Sequence, residues 1–525
     1  MNHGSCSSRV HLEERDGRSM SKQRSRIVPA LAVILLLSIS LAGCRQPSGG
    51  AEQEVGNGGG PVTRVKIEAM VSAQNTLPAD ASQDVIKQEL DKAVGIDLKI
   101  TSLVGGVDYR NHWNLRIAGN SPPDIFYVDR MDMIRLSRQG ALLDLTPYLE
   151  QLESAIHFVG EDSLATGTVD GKVFGIPKTS PAPQYTLWLR QDWLERVGMN
   201  PPATLQELML VMKAFTEKDP DGNGKNDTYG FTGNPVTNAL DQIFGAFGTT
   251  FPGKLYIKDG LLTNSVYDPS MKQALAFLRE MVVSGVVDPD FLANTKMQQV
   301  NKAYQGQVGV LNFNWPMVIN KDTAKQIEEL QPNARWIQIP PPEGPGGAYN
   351  EIDDFGARSI LVMPVTLQNE PGKLEAIIRL LTYMSSPEGS RLVQYGLKNV
   401  HYTMDGSDVK PTDKINEVLY SHLYQLLGRE EMTYLQTKFP AAEPYFRFAI
   451  AQPRIKVYDS FVQMPDDYPA ADIKRYIMEQ TYKFIYGNRP LEEYDEFVRT
   501  LEAKYGYDSY MKTAQRQLEE QGLLQ

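Results

Sequence analysis

Between residues 65 and 128 the chain alternates short β-branched runs with amphipathic segments, and that pattern leaves few folds open. Residues 65–71, 96–102 and 124–128 read as strands, and 84–93 and 111–118 as helices, which is the order of parallel βαβ units. Later segments carry helix start signals. Thr204-Leu205-Gln206-Glu207 is a capping box ahead of an apolar-periodic stretch reaching Phe215, and Asp268-Pro269 opens a helix whose Met271, Leu275, Leu278 and Val282 share one face. Ser386-Pro387-Glu388 starts a third helix. Residues 413–525 read as mostly helical, so they should pack on the outside of a sheet domain. With 525 residues and 42% hydrophobic content, the chain can bury the cores of two to four domains or lobes. No repeat of fixed period is present.

The amino terminus reads as a processing segment. Met20 to Arg26 is basic, and the apolar run from Ile27 to Leu41 is too short to span a membrane comfortably, as in a secretory signal. Leu41-Ala42-Gly43-Cys44 at its end resembles the lipobox of bacterial lipoproteins, in which the cysteine receives lipid. Residues 1–19, with Glu13-Glu14-Arg15-Asp16, are unlike a signal start and read as an extension ahead of the true one. Residues 20–43 are then the leader, and 44–61, rich in Gly with Ser, Pro and Glu, a flexible linker above the membrane.

Charge and rare residues narrow the function. Removing residues 1–43 takes six basic and three acidic residues from totals of 53 and 64, leaving a formal charge of −14. A chain that neutralises nucleic-acid phosphates needs the opposite balance, so nucleic acid is not an expected partner. The only cysteines are Cys6, ahead of the leader, and Cys44, so no disulfide framework or thiolate metal site is available. His112, His157, His401 and His422 are scattered, with no HExxH helix, GxSxG elbow or P-loop. A paired-carboxylate glycosidase is not excluded by that test.

Asp219-Pro220-Asp221-Gly222-Asn223-Gly224-Lys225-Asn226-Asp227 sets oxygen side chains at alternate positions. Asp219, Asp221, Asn223, the Lys225 carbonyl and Asp227 are the expected ligands of a structural Ca²⁺, a hard cation that prefers an oxygen cage. The twelfth position, a bidentate Glu in an EF-hand, is Gly230 here. A metal-free Asx-rich turn is the alternative. Tyr127, Trp188, Trp315, Trp336, Tyr349, Tyr402 and Tyr445 fall at plausible strand or loop ends, where rings suit sugar faces, with ordinary core packing as the other reading of each.

Several motifs together resemble the extracellular solute-binding proteins of ABC importers, in the lipoprotein branch that serves oligosaccharides. Pro123-Asp124-Ile125, Gly140-Ala141-Leu142-Leu143-Asp144-Leu145-Thr146-Pro147 and Gly171-Lys172-Val173-Phe174-Gly175-Ile176-Pro177 match its first-lobe segments. Leu187-Trp188-Leu189-Arg190-Gln191-Asp192-Trp193-Leu194, followed by Gly198, Pro202, Thr204 and Glu207, matches the block that precedes the Asp/Asn/Gly loop. The resemblance implies an α/β, two-lobed, periplasmic-binding-protein-like fold of type II, with hinges near 177–183 and 340–348 and a helical carboxyl-terminal region. Residues 62–177 and 349–404 are expected in lobe 1, and 178–348 and 405–525 in lobe 2. It implies calcium in the Asp/Asn/Gly loop, although Thr228 stands where calcium-binding relatives carry an acid.

The ligand is expected between the lobes, beyond the carboxyl ends of strands. Asp129 and Arg130 follow the strand 124–128. By the resemblance, Trp315 stacks on a sugar ring. Trp188 and Arg190 share one face of their strand, opposite Leu187 and Leu189. The candidate ligand residues are therefore Tyr127, Asp129, Arg130, Trp188, Arg190, Trp315 and Tyr349. The alternative is that Trp315 is core and that Arg190 pairs with Asp192 or Glu195. The chain is expected to be no enzyme but a monomeric receptor, lipid-anchored on the extracellular face of the cell membrane, that captures a carbohydrate and passes it to ABC permease subunits. A secreted polysaccharide-degrading enzyme and a sensor for a two-component system are the alternatives.

Overall fold

The computed structural model describes residues 64–524 apart from 74–75, 104–105, 237–238, 319, 354–358 and 466. The leader, Cys44 and the linker lie outside the described residues. Two large sheets are built, in chain order, from β1 (Val65–Ser72), β2 (Ile96–Leu103), β3 (Ile125–Val128), β4 (Gly175–Pro177), β5 (Tyr185–Arg190), β6 (Tyr229–Thr232), β7 (Val308–Asn314), β8 (Trp336–Ile339) and β9 (Ile360–Val362).

The first sheet has the order β2-β1-β3-β9-β4. β1 runs parallel to β2 and β3, setting Ala69 opposite Ile100 and Ile125, while β9 runs antiparallel to β3 and β4. The period of two decides what each face buries. Ile67, Ala69 and Val71 pack with Ile86 and Leu90 of the helix Val85–Val94 and with Ile377, Leu380 and Leu381 of the helix Pro371–Ser385. Met70, Phe126, Val128, Ile360 and Val362 face the other way, onto Tyr109, Trp113 and Met133 of the helices Gly106–Ala118 and Arg130–Arg138.

The second sheet, β8-β5-β7-β6, is covered in the same manner. Leu187, Leu189, Val310 and Phe231 pack beneath the helices Leu205–Glu217, Ser270–Val283 and Ala470–Ile485. Trp188, Leu311, Phe313 and Trp315 pack beneath Tyr434, Leu435, Phe446 and Ala449 of the helices Glu431–Lys438 and Glu443–Ala451. The start signals hold: Thr204 and Glu207 form a reciprocal capping box, Asp268 Oδ1 accepts from Ser270 N at 2.8 Å, and Ser386 caps the helix Pro387–Tyr395. No helix among the described residues is long and apolar enough to cross a membrane.

The chain passes from the first sheet to the second between Pro177 and Tyr185 and back between Ile339 and Ile360. It crosses again near 425–430, because Val418, Leu423, Tyr424, Leu426 and Leu427 join the first core whereas Tyr434 and Leu435 join the second sheet. The sequence-based expectation sets 405–525 wholly with the second lobe. Residues 418–427 differ because this apolar run seats against the helix at 85–94, where the Tyr424 hydroxyl donates to the buried Asp84. The three crossings lie side by side: Lys178 N donates to Ser359 O at 2.9 Å and Thr179 N to Leu427 O at 3.1 Å. Gly428 sits at φ +91° with its Cα pressed on Thr179, where a Cβ would fall 2.0 Å from the hydroxyl, so only glycine lets these segments approach.

Candidate functional site

At the crossings two cavities of about 460 and 560 Å³ meet at Lys178 and Ser359. The first is walled by the carboxyl ends of β1 and β3, with Ser72, Arg110, Tyr127, Asp129 and Asp132. The second is walled by the crossings themselves, with Tyr185, Asp353, His422, Arg429, Glu431 and Arg454. The first cavity lies where a parallel sheet leaves backbone and side chains free at the carboxyl ends of its strands.

The first wall is held rigidly. The Tyr109 hydroxyl donates to Met70 O at 3.1 Å and accepts from Tyr127 N at 2.7 Å, and the Tyr127 hydroxyl donates to Leu426 O at 2.5 Å. Asp129 caps the helix Arg130–Arg138, its Oδ1 accepting from Asp132 N at 2.7 Å. Burial pushes the Asp129 carboxyl above its ordinary range, aided by the charge of Asp132 and opposed by that cap hydrogen bond. Arg110 pairs with Asp132 at 2.7 Å, Arg429 makes a two-pronged pair with Glu431 at 2.6 and 3.1 Å, and Arg454 pairs with Asp353 at 3.4 Å. The Lys178 amine stands 5.4 Å from the centre of the Tyr127 ring. Burial, followed by the charge of Arg429, lowers its pKa to about 8.

The residues expected from sequence divide sharply. Tyr127 and Asp129 line the first cavity. Arg130 does not: 4% exposed, it lies 5.0 Å over the Phe461 ring, and its Nη2 donates to Gln521 Oε1 at 3.0 Å. Trp188 is buried against Tyr445, with Nε1 donating to Phe313 O at 3.1 Å. Trp315 is buried against Phe446 with Nε1 donating to Pro183 O at 3.3 Å. Arg190 pairs with Asp192 at 2.7 Å and lies over the rings of Trp193 and Trp336, so the structural reading of Trp315 and Arg190 describes their contacts. Tyr349 is half-buried against Gly245 and lines neither cavity. Sequence reasoning misses Lys178, Tyr185, Asp353, Arg429, Glu431 and Arg454. The only signal near them is that Lys178 follows the hinge proline Pro177.

The Asp/Asn/Gly loop folds around Asp219, whose carboxylate accepts from the amides of Gly222, Asn223 and Gly224 at 3.0, 3.0 and 2.9 Å. The Asn223 amide donates to Asp221 at 2.9 Å and to Asp227 at 3.0 Å, and Lys225 N donates to Asn223 Oδ1 at 2.8 Å. Among the described residues no three carboxylate, thiolate or imidazole groups converge at metal-binding distances. The donor chemistry nonetheless fits a hard cation, since burial and the adjacent Asp219 and Asp227 push the Asp221 carboxyl above its ordinary range. Gly230, in the place of the twelfth EF-hand ligand, is a strand residue whose Cβ would fall 2.5 Å from Met212, so no Glu fits there.

Fold and cleft together define a two-lobed α/β binding protein. Residues 75–391 match the family of bacterial extracellular solute-binding proteins, and the chain belongs to that family. The polygalacturonan/rhamnogalacturonan-binding protein YtcQ of Bacillus subtilis (strain 168) is 24% identical over 500 residues, 91% of this chain and 96% of that protein. Lipoprotein LipO of the same organism is 27% identical over 406 residues, 74% of this chain and 76% of that one. The solved structure of the S. pneumoniae ABC-transporter substrate-binding protein FusA, an EF-hand mutant in complex with fructo-nystose, matches with a TM-score of 0.67 at 18% identity, covering 88% of this chain and 100% of FusA. The family consists of binding proteins and not of enzymes.

Proposed function

We propose that the chain is the solute-binding lipoprotein of an ABC importer, anchored through Cys44 on the outer face of the cell membrane, where it captures an oligosaccharide for delivery to the permease. The observation that carries this reading is the pair of joined cavities at the crossings, walled by Tyr127, Asp129 and ion-paired arginines, a mixture of flat rings and fixed polar groups that suits hydroxylated rings. YtcQ and the FusA complex bind different carbohydrates, which supports the class and leaves the sugar open. LipO supports the anchor. In this reading the crossings act as hinges, and the lobes are 62–177 with 349–404 and 178–348 with 405–525, except that 418–427 pack with the first.

Calcium at Asp219, Asp221, Asn223, the Lys225 carbonyl and Asp227 would draw together carboxylates that repel one another, displacing the Asn223 amide from between them. One thermal-shift experiment covers both proposals. A panel of oligouronates and fructooligosaccharides should include members that raise the melting temperature, and chelator should lower it without abolishing the transition. No shift with any sugar overturns the oligosaccharide reading; an unchanged melt in chelator with no bound metal overturns calcium. The Cys44→Ser variant should leave the membrane fraction for the medium, and its retention there would overturn the anchor.

A further inference from the structure

We infer that the captured oligosaccharide is acidic and that Lys178 is the residue that recognises its carboxylate. This deepens the oligosaccharide reading and rests on it. The cleft arginines are each satisfied from within the protein, Arg110 by Asp132, Arg429 by Glu431 and Arg454 by Asp353. Lys178 is not. No carboxylate of a described residue reaches ion-pair distance of its amine, although the chain carries 64 acidic residues against 53 basic ones. It also stands at the one place where both cavities can be reached, beside the Tyr127 ring.

An amine in that position is costly. Protein surrounds it closely enough to lower its pKa to about 8, yet its own surface still opens to the cavity. If the site needed only a donor for a sugar hydroxyl, a neutral amide would supply it without the cost of desolvating a charge. A carboxylate arriving in the cavity repays that cost with charge-assisted hydrogen bonds, which are roughly twice as strong as neutral ones. A second amine without a carboxylate partner among the described residues, Lys296, lies at the rim with its Nζ 3.0 Å from the Tyr185 hydroxyl, where it adds to the field that draws an anion inward. Asp129, a carboxyl in the same cavity, then serves hydroxyls and not the acid group.

The test compares tri-galacturonate and tri-mannuronate with their methyl esters, which keep shape and lose charge, by calorimetry at low salt. The acid forms should bind at least about tenfold more tightly than the esters, a difference that Lys178→Met abolishes and Lys178→Arg partly restores. The groups facing the amine are Arg429, Glu431, His422 and Tyr127; burial lowers the His422 pKa and raises that of Tyr127, so neither takes up charge between pH 7 and 9. Affinity for the acid should therefore fall across that range as Lys178 loses its proton, while affinity for the ester stays flat. Equal binding of acid and ester, or equal weakening of both by Lys178→Met in a protein that still melts cooperatively, overturns the inference and leaves the oligosaccharide reading standing. If neither form binds but a neutral fructooligosaccharide does, the inference falls alone; if no sugar binds, both fall.

Discussion

The two sheets present the same kind of residues at their strands and put them to different uses. On the first, Tyr127 near the end of β3 and Asp129 just past it face open cavity. On the second, β5 carries Trp188 and Arg190, and Trp315 directly follows β7; these are the more obvious sugar-binding set, and all three are sealed. Nothing within β5 or β7 decides this. For the two tryptophans the helix Glu443–Ala451 does, arriving more than a hundred residues later to lay Tyr445 on Trp188 and Phe446 on Trp315, while Arg190 is closed over by Trp193 and Trp336. An aromatic strand end is a binding surface only until another part of the chain covers it.

The sharpest way to break this comparison is Trp188→Ala. A fully buried indole with its N–H satisfied should cost about 3–5 kcal/mol of stability when truncated. Denaturant unfolding would show that loss, and the surviving folded protein should keep its affinity for sugar. Affinity lost with stability intact would return Trp188 to the cleft.

Arg190→Leu should come next, at about 2 kcal/mol, toward the low side for a broken buried pair because the Asp192 side chain keeps 19% of its surface exposed. Burial pushes the Asp192 carboxyl up, but the hydrogen bond and charge of Arg190 outweigh it and hold it below the ordinary 3.8. A carboxyl depressed in the folded state contributes stability above its unfolded pKa and loses it as pH falls through the folded one. The gap between wild type and variant should thus be widest near neutral pH and close below about pH 4. A constant gap across that range would show that Arg190 acts by packing on Trp193 and Trp336 alone.

How much was legible in the sequence follows the same division. The elements were readable because their signals are local: the period of two in β1, the reciprocal cap of Thr204 and Glu207, and the Asx turns of 219–227. Even the two faces of β5 were readable, since Leu187 and Leu189 do enter one core and Trp188 the other. Which of those faces meets ligand was not, because that depends on the helices at 431–451. Arg130 is the same case. It stands one residue past the open Asp129 but is covered by Phe461 and Gln521, which are distant in sequence. Lys178 and Arg429 carry no motif at all; their importance lies in three crossings being hydrogen-bonded side by side, with Gly428 allowing the approach.

The smallest expected change in stability belongs to Asp129→Asn, and it is the mirror image of Trp188→Ala. Burial raises the Asp129 carboxyl in the folded state, so its ionised form at neutral pH is carried at a cost that grows as pH rises past its unfolded pKa. Asparagine caps a helix about as well as aspartate, so the substituted side chain can still accept from Asp132 N without that cost. Stability should stay level or rise by up to about 1 kcal/mol, with the gain present at pH 7 and absent below about pH 4. Binding should move the other way. A carboxylate accepts from sugar hydroxyls more strongly than an amide, so the methyl-ester trisaccharide, which has no acid group to be repelled, should bind about tenfold more weakly to the variant. A stable variant that binds less well would mark the end of β3 as a surface reserved for ligand, where the end of β5 is reserved for the fold. Unchanged affinity would mean that Asp129 serves only as a cap, and that the first cavity makes its contacts through Tyr127 and Lys178.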